Sequence, residues 1–131
     1  PDAFTGLPAY IHEAILRAYI GGAVYRPLSE EQMQRYLKPW TGEKGQAAFY
    51  RQIAQMDDKY TDEIENNYAS IRCPVNILWG ADDEWIPVER GEELARRIPG
   101  ARFQVVPEAK HLVQEDAPEA VVASVMSFIS F

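Results

Sequence analysis

The chain changes its spacing rule at residue 71, and that change restricts its fold more than any other feature. Residues 1–70 place apolar side chains at helical intervals and show no strand alternation. From there on, "CPVNILWG", "PVERGEELARRIPG", "ARFQVVP" and "DAPEAVVASVMSFISF" read as strand, helix, strand and helix. A strand–helix–strand order implies parallel strands joined by a right-handed crossover. The expected fold class is therefore α/β, with a helical segment over 1–70 and a parallel βαβα segment over 71–131. Two such apolar strands expect cover on both faces and neighbours on both edges. The chain reads as the end of a larger α/β protein.

Within the helical segment, "LPAYIHEAILRAYI" puts Ile11, Ile15, Ala18 and Tyr19 on one face and leaves His12, Glu13 and Arg17 off it, so His12 reads as a surface or boundary residue. Ser29 and Gln32 in "SEEQMQRYL" have capping-box spacing, and Lys38-Pro39 ends that helix. Phe49, Tyr50, Ile53 and Met56 form the next apolar face, and "TDEIENNYASI" reads as a last short helix. Tyr36, Trp40, Phe49 and Tyr50 are expected in the core first and at a ligand second. In the second segment, Val88, Gly91, Leu94, Ala95 and Ile98 share one side of a helix between Pro87 and Pro99-Gly100. The final helix has Asp116 at its cap position and Pro118 in its first turn. Val121, Val122, Val125, Met126, Phe128 and Ile129 cover most of its circumference, which predicts deep packing.

The 131 residues carry 13 basic and 20 acidic side chains, a net charge of −7. The basic residues are scattered, which argues against nucleic acid and anionic membrane surfaces as partners. A single cysteine, Cys73, rules out an intrachain disulfide and a cysteine-based zinc framework. No apolar run approaches the ~20 residues of a membrane span, and no secretory signal is visible, so a cytoplasmic protein is expected. The chain opens "PDAFTG" without a methionine, which reads as a fragment or a processed chain. Such a fragment is expected to self-associate or to pair with a missing N-terminal half.

Ligands in open α/β sheets bind beyond the carboxyl ends of the strands. Asp83 lies three residues past Gly80, where the first strand ends, and His111 lies four past Pro107, beyond the second. If the strands are parallel neighbours, both loops leave the same edge. The carboxylate can then fix the tautomer of the imidazole and support its charge, which makes an acid–base pair awaiting a nucleophile. Each residue also has a plainer reading. Asp83 suits an acidic turn before a helix N-terminus, and His111 suits a loop histidine with its bonds satisfied. Asp82 and Glu84 read as solvated neighbours. A cation site from Asp82, Asp83, Glu115 and Asp116 matches no known ligand spacing, and Cys73 has no nucleophile elbow. Trp85, Ile86, Leu112 and Val113 flank the pair and are candidates for apolar substrate contact or for loop packing.

The stretch from "PVNILWGADDEWIP" through "PEAKHLVQEDAPEAVVASVMSFI" resembles the C-terminal segment of α/β-hydrolase fold enzymes. The resemblance places the catalytic acid on Asp83 of "GADD" and the base on His111, although "AKH" stands where a glycine usually precedes the histidine. It makes residues 1–70 a helical cap and implies a small, partly apolar substrate and no cofactor or metal. The family orders nucleophile, acid and base along the chain. Ser29, Ser70, Ser124, Ser127 and Ser130 all lack the flanking glycines of an elbow. The nucleophile, Ser, Asp or Cys, is accordingly expected outside this sequence, and the 131 residues alone are expected to be inactive. The competing class is a non-catalytic binding or interaction module whose Asp and His are incidental.

Overall fold

A computed structural model describes residue 4 and residues 6–129. The expected positions Ser130 and Phe131 of the last helix lie outside the described residues. The chain divides into two compact units, Pro1–Gly22 with Pro27–Lys59, and Ala23–Arg26 with Tyr60–Phe131. The tetrapeptide Ala23–Arg26 thus leaves the helical unit and joins the other, and residues 60–70 also fall with the second unit.

The helical unit contains α1 (Ala9–Gly22), α2 (Glu30–Leu37), a 3-10 turn at Lys38–Trp40 and α3 (Gly42–Ala54). The capping box is formed: Gln32 N donates to Ser29 Oγ at 3.2 Å, and Ser29 N donates to Gln32 Oε1 at 2.9 Å. Leu16, Ile20, Leu37, Phe49 and Tyr50 make the buried cluster. The inner face of α1 differs from the sequence expectation. It is His12, Leu16 and Ile20 that are buried, while Ala18 and Tyr19 face out. His12 is 1% exposed and not a surface residue. Its Nδ1 meets Tyr50 Oη at 3.0 Å and its Nε2 meets the Trp40 carbonyl at 2.8 Å. With both ring nitrogens satisfied, the imidazole fills the core like an aromatic, which rotates the helix by one position. Met56 lies beyond the end of α3 and is exposed.

The second unit takes α4 (Lys59–Glu65) for most of its length, then a 3-10 turn at Tyr68–Ser70. It continues with β1 (Asn76–Gly80), α5 (Val88–Arg97), β2 (Arg102–Val106), α6 (Val113–Asp116) and α7 (Pro118–Ile129). The two strands pair in parallel, from Asn76 against Arg102 to Gly80 against Val106. Helix α5 packs on both strands through Gly91, where a Cβ would collide with the rings of Trp79 and Phe103. Val106, Ala109 and Ala117 form the second buried cluster, with Leu78, Val113 and Ala120 against it.

Helix α7 does not pack as deeply as its composition predicts. Val122, Val125, Met126 and Ile129 are each more than half exposed, and Ser124 is the one buried residue among the described part of the helix. Nor does Asp116 cap α7; it closes α6, and its carboxylate turns elsewhere. Composition alone reports how much apolar surface a helix carries, not how much protein is present to cover it.

Candidate active site

Both parallel strands end at the same edge, so the loops after Gly80 and Val106 rise side by side. Backbone bonding continues past the strands: Ala81 N donates to Val106 O and Asp82 N to Ala109 O, both at 2.9 Å. Glycine is required at position 80, because a Cβ there would strike the carbonyls of Ala109 and Lys110. Glu108 has a positive φ of 52°, a left-handed turn that costs a non-glycine residue about 1 kcal/mol and reverses the chain before Ala109.

These turns bring Asp83 and His111 together. Asp83 Oδ1 accepts from the amides of Trp85 at 2.9 Å and Ile86 at 3.0 Å, which fixes the carboxylate plane. Its Oδ2 lies 3.0 Å from His111 Nδ1. The Asp83 side chain is 5% exposed and the His111 side chain 32%. A carboxylate can only accept, so Nδ1 carries a proton, and the tautomer this selects has its lone pair on Nε2. Among the described residues Nε2 has no hydrogen-bond partner. Trp85 lies over the imidazole with ring centroids 4.9 Å apart. Trp79 Nε1 ties down the far end of the acid loop by donating to Ile86 O at 2.9 Å.

The remaining acids separate by function. Glu84 reaches Lys110 Nζ at 2.7 Å and bridges the two loops. Its hydrogen bond, with the charges of Glu84, Asp82 and Asp116, holds the Lys110 ammonium above the ordinary lysine range. Asp116 is 5% exposed and accepts from backbone amides of Tyr25, Arg26 and Lys110. Of the four apolar candidates, Ile86 and Val113 line a cleft of about 160 Å³ with Asp83, His111, Leu78 and Trp79. Trp85 contacts His111 itself, whereas Leu112 is not among the lining residues and instead donates its amide to Ala23 O at 2.9 Å. The ion pair and the Asp116 contacts were not legible beforehand, because Tyr25 and Asp116 stand 91 positions apart. Lysine in place of the usual glycine before the histidine was the one local hint.

A family model described as "Alpha/beta hydrolase family" matches residues 1–124. The chain belongs to the alpha/beta hydrolase family. An alpha/beta hydrolase fold protein from Burkholderia ambifaria is 56% identical, with a TM-score of 0.92 over 96% of this chain and 47% of that one. RutD of Caulobacter sp. (strain K31), which carries carbamate hydrolase in its name, is 37% identical over 68 residues, 52% of this chain and 25% of that protein. The esterase EaEST of Exiguobacterium antarcticum shares the fold at 18% identity, with a TM-score of 0.71 over 99% of this chain and 47% of its own. The chain thus spans less than half the length of these relatives. The two parallel strands and their helices are a C-terminal portion of the alpha/beta hydrolase fold. Among the described residues, no helix is long and apolar enough to cross a membrane.

Proposed function

We propose that this chain supplies the acid and the base of a nucleophile–His–Asp triad, and that the nucleophile comes from polypeptide outside residues 1–131. The observation that carries the reading is the 3.0 Å contact between His111 Nδ1 and Asp83 Oδ2, with Nε2 unpartnered among the described residues and beside a cleft lined by Leu78, Ile86 and Val113. In this reading Nε2 takes the proton of a Ser or Cys nucleophile as it attacks the substrate, and Asp83 balances the imidazolium. The imidazolium passes that proton to the departing group as its bond breaks, which frees Nε2 again. An Asp nucleophile attacks as its carboxylate and gives up no proton. Water then enters, gives its proton to the same nitrogen, and releases the acyl or alkyl group from the enzyme. The helical segment, residues 1–70, acts as a cap that bears on substrate choice, and residues 71–131 form the α/β segment that holds the pair. Ile86 and Val113 favour a small, partly apolar ester, amide, halide, epoxide or cleavable ketone. The hydrolase and esterase names among the relatives agree with this class, and neither a metal nor a cofactor is needed for it.

Short-chain nitrophenyl esters, haloalkanes and epoxides offered to the complete protein and to residues 1–131 separately test the proposal. Turnover by the complete protein alone is expected. A robust rate from the mass-verified 131-residue chain would place the nucleophile inside it, and no rate from the complete protein on any class would remove the hydrolase reading.

A further inference from the structure

We infer that Asp116 is a positioning residue for His111, acting on the backbone at both sides of it; this rests on His111 being the base. The carboxylate is 5% exposed, yet its described partners are all backbone amides. Oδ2 accepts from Lys110 N at 2.9 Å, and Tyr25 N shares its proton between Oδ1 and Oδ2 at 2.9 Å each. Arg26 N adds a third donor to Oδ1 at 3.1 Å. Burying a carboxylate is costly, and several amide donors are what makes it tolerable. What distinguishes this one is where its donors lie.

Lys110 immediately precedes His111, and Leu112 immediately follows it. Asp116 grips Lys110 directly. Leu112 is held by its 2.9 Å bond to Ala23 O, and Ala23 belongs to the same tetrapeptide whose Tyr25 and Arg26 amides Asp116 grips. One carboxylate therefore anchors both neighbours of the imidazole, one at first hand and one through Ala23–Arg26. The Arg26–Glu108 ion pair at 2.9 Å adds an outer tie between the same segments. An asparagine cannot replace the function. It offers one oxygen and turns an NH₂ group toward amides that also donate, so either Lys110 or the tetrapeptide is released. A base displaced by about 1 Å is expected to lose about 10²-fold in rate.

The test reads the His111 ring by side-chain nitrogen NMR in the 131-residue chain, comparing the native protein with Asp116→Asn. Leu37→Ala serves as a control that loosens the helical unit alone. The native ring is expected as the single Nδ1–H tautomer with a hydrogen-bonded proton. Asp116→Asn is expected to give a tautomer mixture, Leu37→Ala to leave the signal unchanged, and kcat of the complete protein to fall about 10²-fold in Asp116→Asn with little change in KM. A native tautomer and proton signal in a folded Asp116→Asn chain would overturn the inference. A mixed tautomer with undiminished turnover would uphold the positioning and instead remove His111 as base. Should Asp116→Asn not fold, amide exchange in the native chain decides. Lys110, Leu112, Tyr25 and Arg26 are expected to exchange slowly and as one group, and loop-like exchange at Lys110 would overturn the inference.

Discussion

The Lys110 carbonyl occupies the place where a side chain on Gly80 would begin. The end of the first strand and the residue before His111 are thus in direct backbone contact, with no side chain between them. This closeness lets Asp82 N reach Ala109 O at 2.9 Å and sets the separation across which Asp83 meets His111.

Gly80→Ala should therefore force the two loops apart, since both obstructing groups are backbone. A loss of about 1–3 kcal/mol in denaturant unfolding is expected. Gly21→Ala makes the contrast: that position is inside α1 with nothing within 4 Å of an added Cβ. It should stabilise by up to about 1 kcal/mol from helix propensity. Equal effects from the two substitutions would contradict the close approach.

His12 gives a second prediction. Its replacement by alanine opens a cavity and leaves the Tyr50 hydroxyl and the Trp40 carbonyl unsatisfied in the core. A cost of about 2–4 kcal/mol is expected, against less than about 0.5 for an ordinary surface histidine. Thermal or urea unfolding of His12→Ala decides between the two.

The ion pair of Arg17 and Glu30 predicts a pH dependence. Hydrogen bonds from Arg17 and Gln34 hold the Glu30 carboxyl down to about 2, from an ordinary value of 4.5. As pH falls below 4.5 the unfolded chain takes up this proton first, so the contribution is complete above that value and is lost on the way down to about 2. The pair is exposed and the effect small, a few degrees at most. Glu30→Gln should give a shallower fall of the thermal midpoint over that range; an unchanged slope would remove the pair as a contributor.

The surface of α7 yields a prediction about association. Val122, Val125, Met126 and Ile129 are exposed, and an open cleft of about 560 Å³ runs along Val75, Leu78, Val121 and Phe128. Among the described residues β1 pairs with β2 alone, leaving its other edge free. Sedimentation should show the 131-residue chain self-associating, and Val125→Glu should weaken this. A monomer at all concentrations would contradict it.

Much of this was written locally. The switch of period at residue 71, the capping box at Ser29 and the glycine that ends β1 are short-range signals, and short-range signals survive in a single sequence. The strand ends pointed to the two loops, and the resemblance of "GADD" to the family's Gly-x-x-Asp pointed to Asp83 and not Asp82; Asp83 is the residue that meets His111. What failed depended on distant partners. His12 is polar, and its burial is intelligible only once Tyr50 and Trp40 close on it from 38 and 28 positions away. Asp116 had the right residue type for a helix cap, yet amides from Tyr25 and Arg26 compete for the same carboxylate and win. The over-reading of α7 has the opposite cause, an apolar surface without a covering layer.

The most direct test of the central claim is kcat/KM of the complete protein after His111→Ala, measured on its best ester, halide or epoxide substrate. The acid–base account predicts a fall of about 10³-fold or more at unchanged stability. A loss of less than about tenfold would contradict it and leave the contact between Asp83 and His111 as a structural tie between two loops.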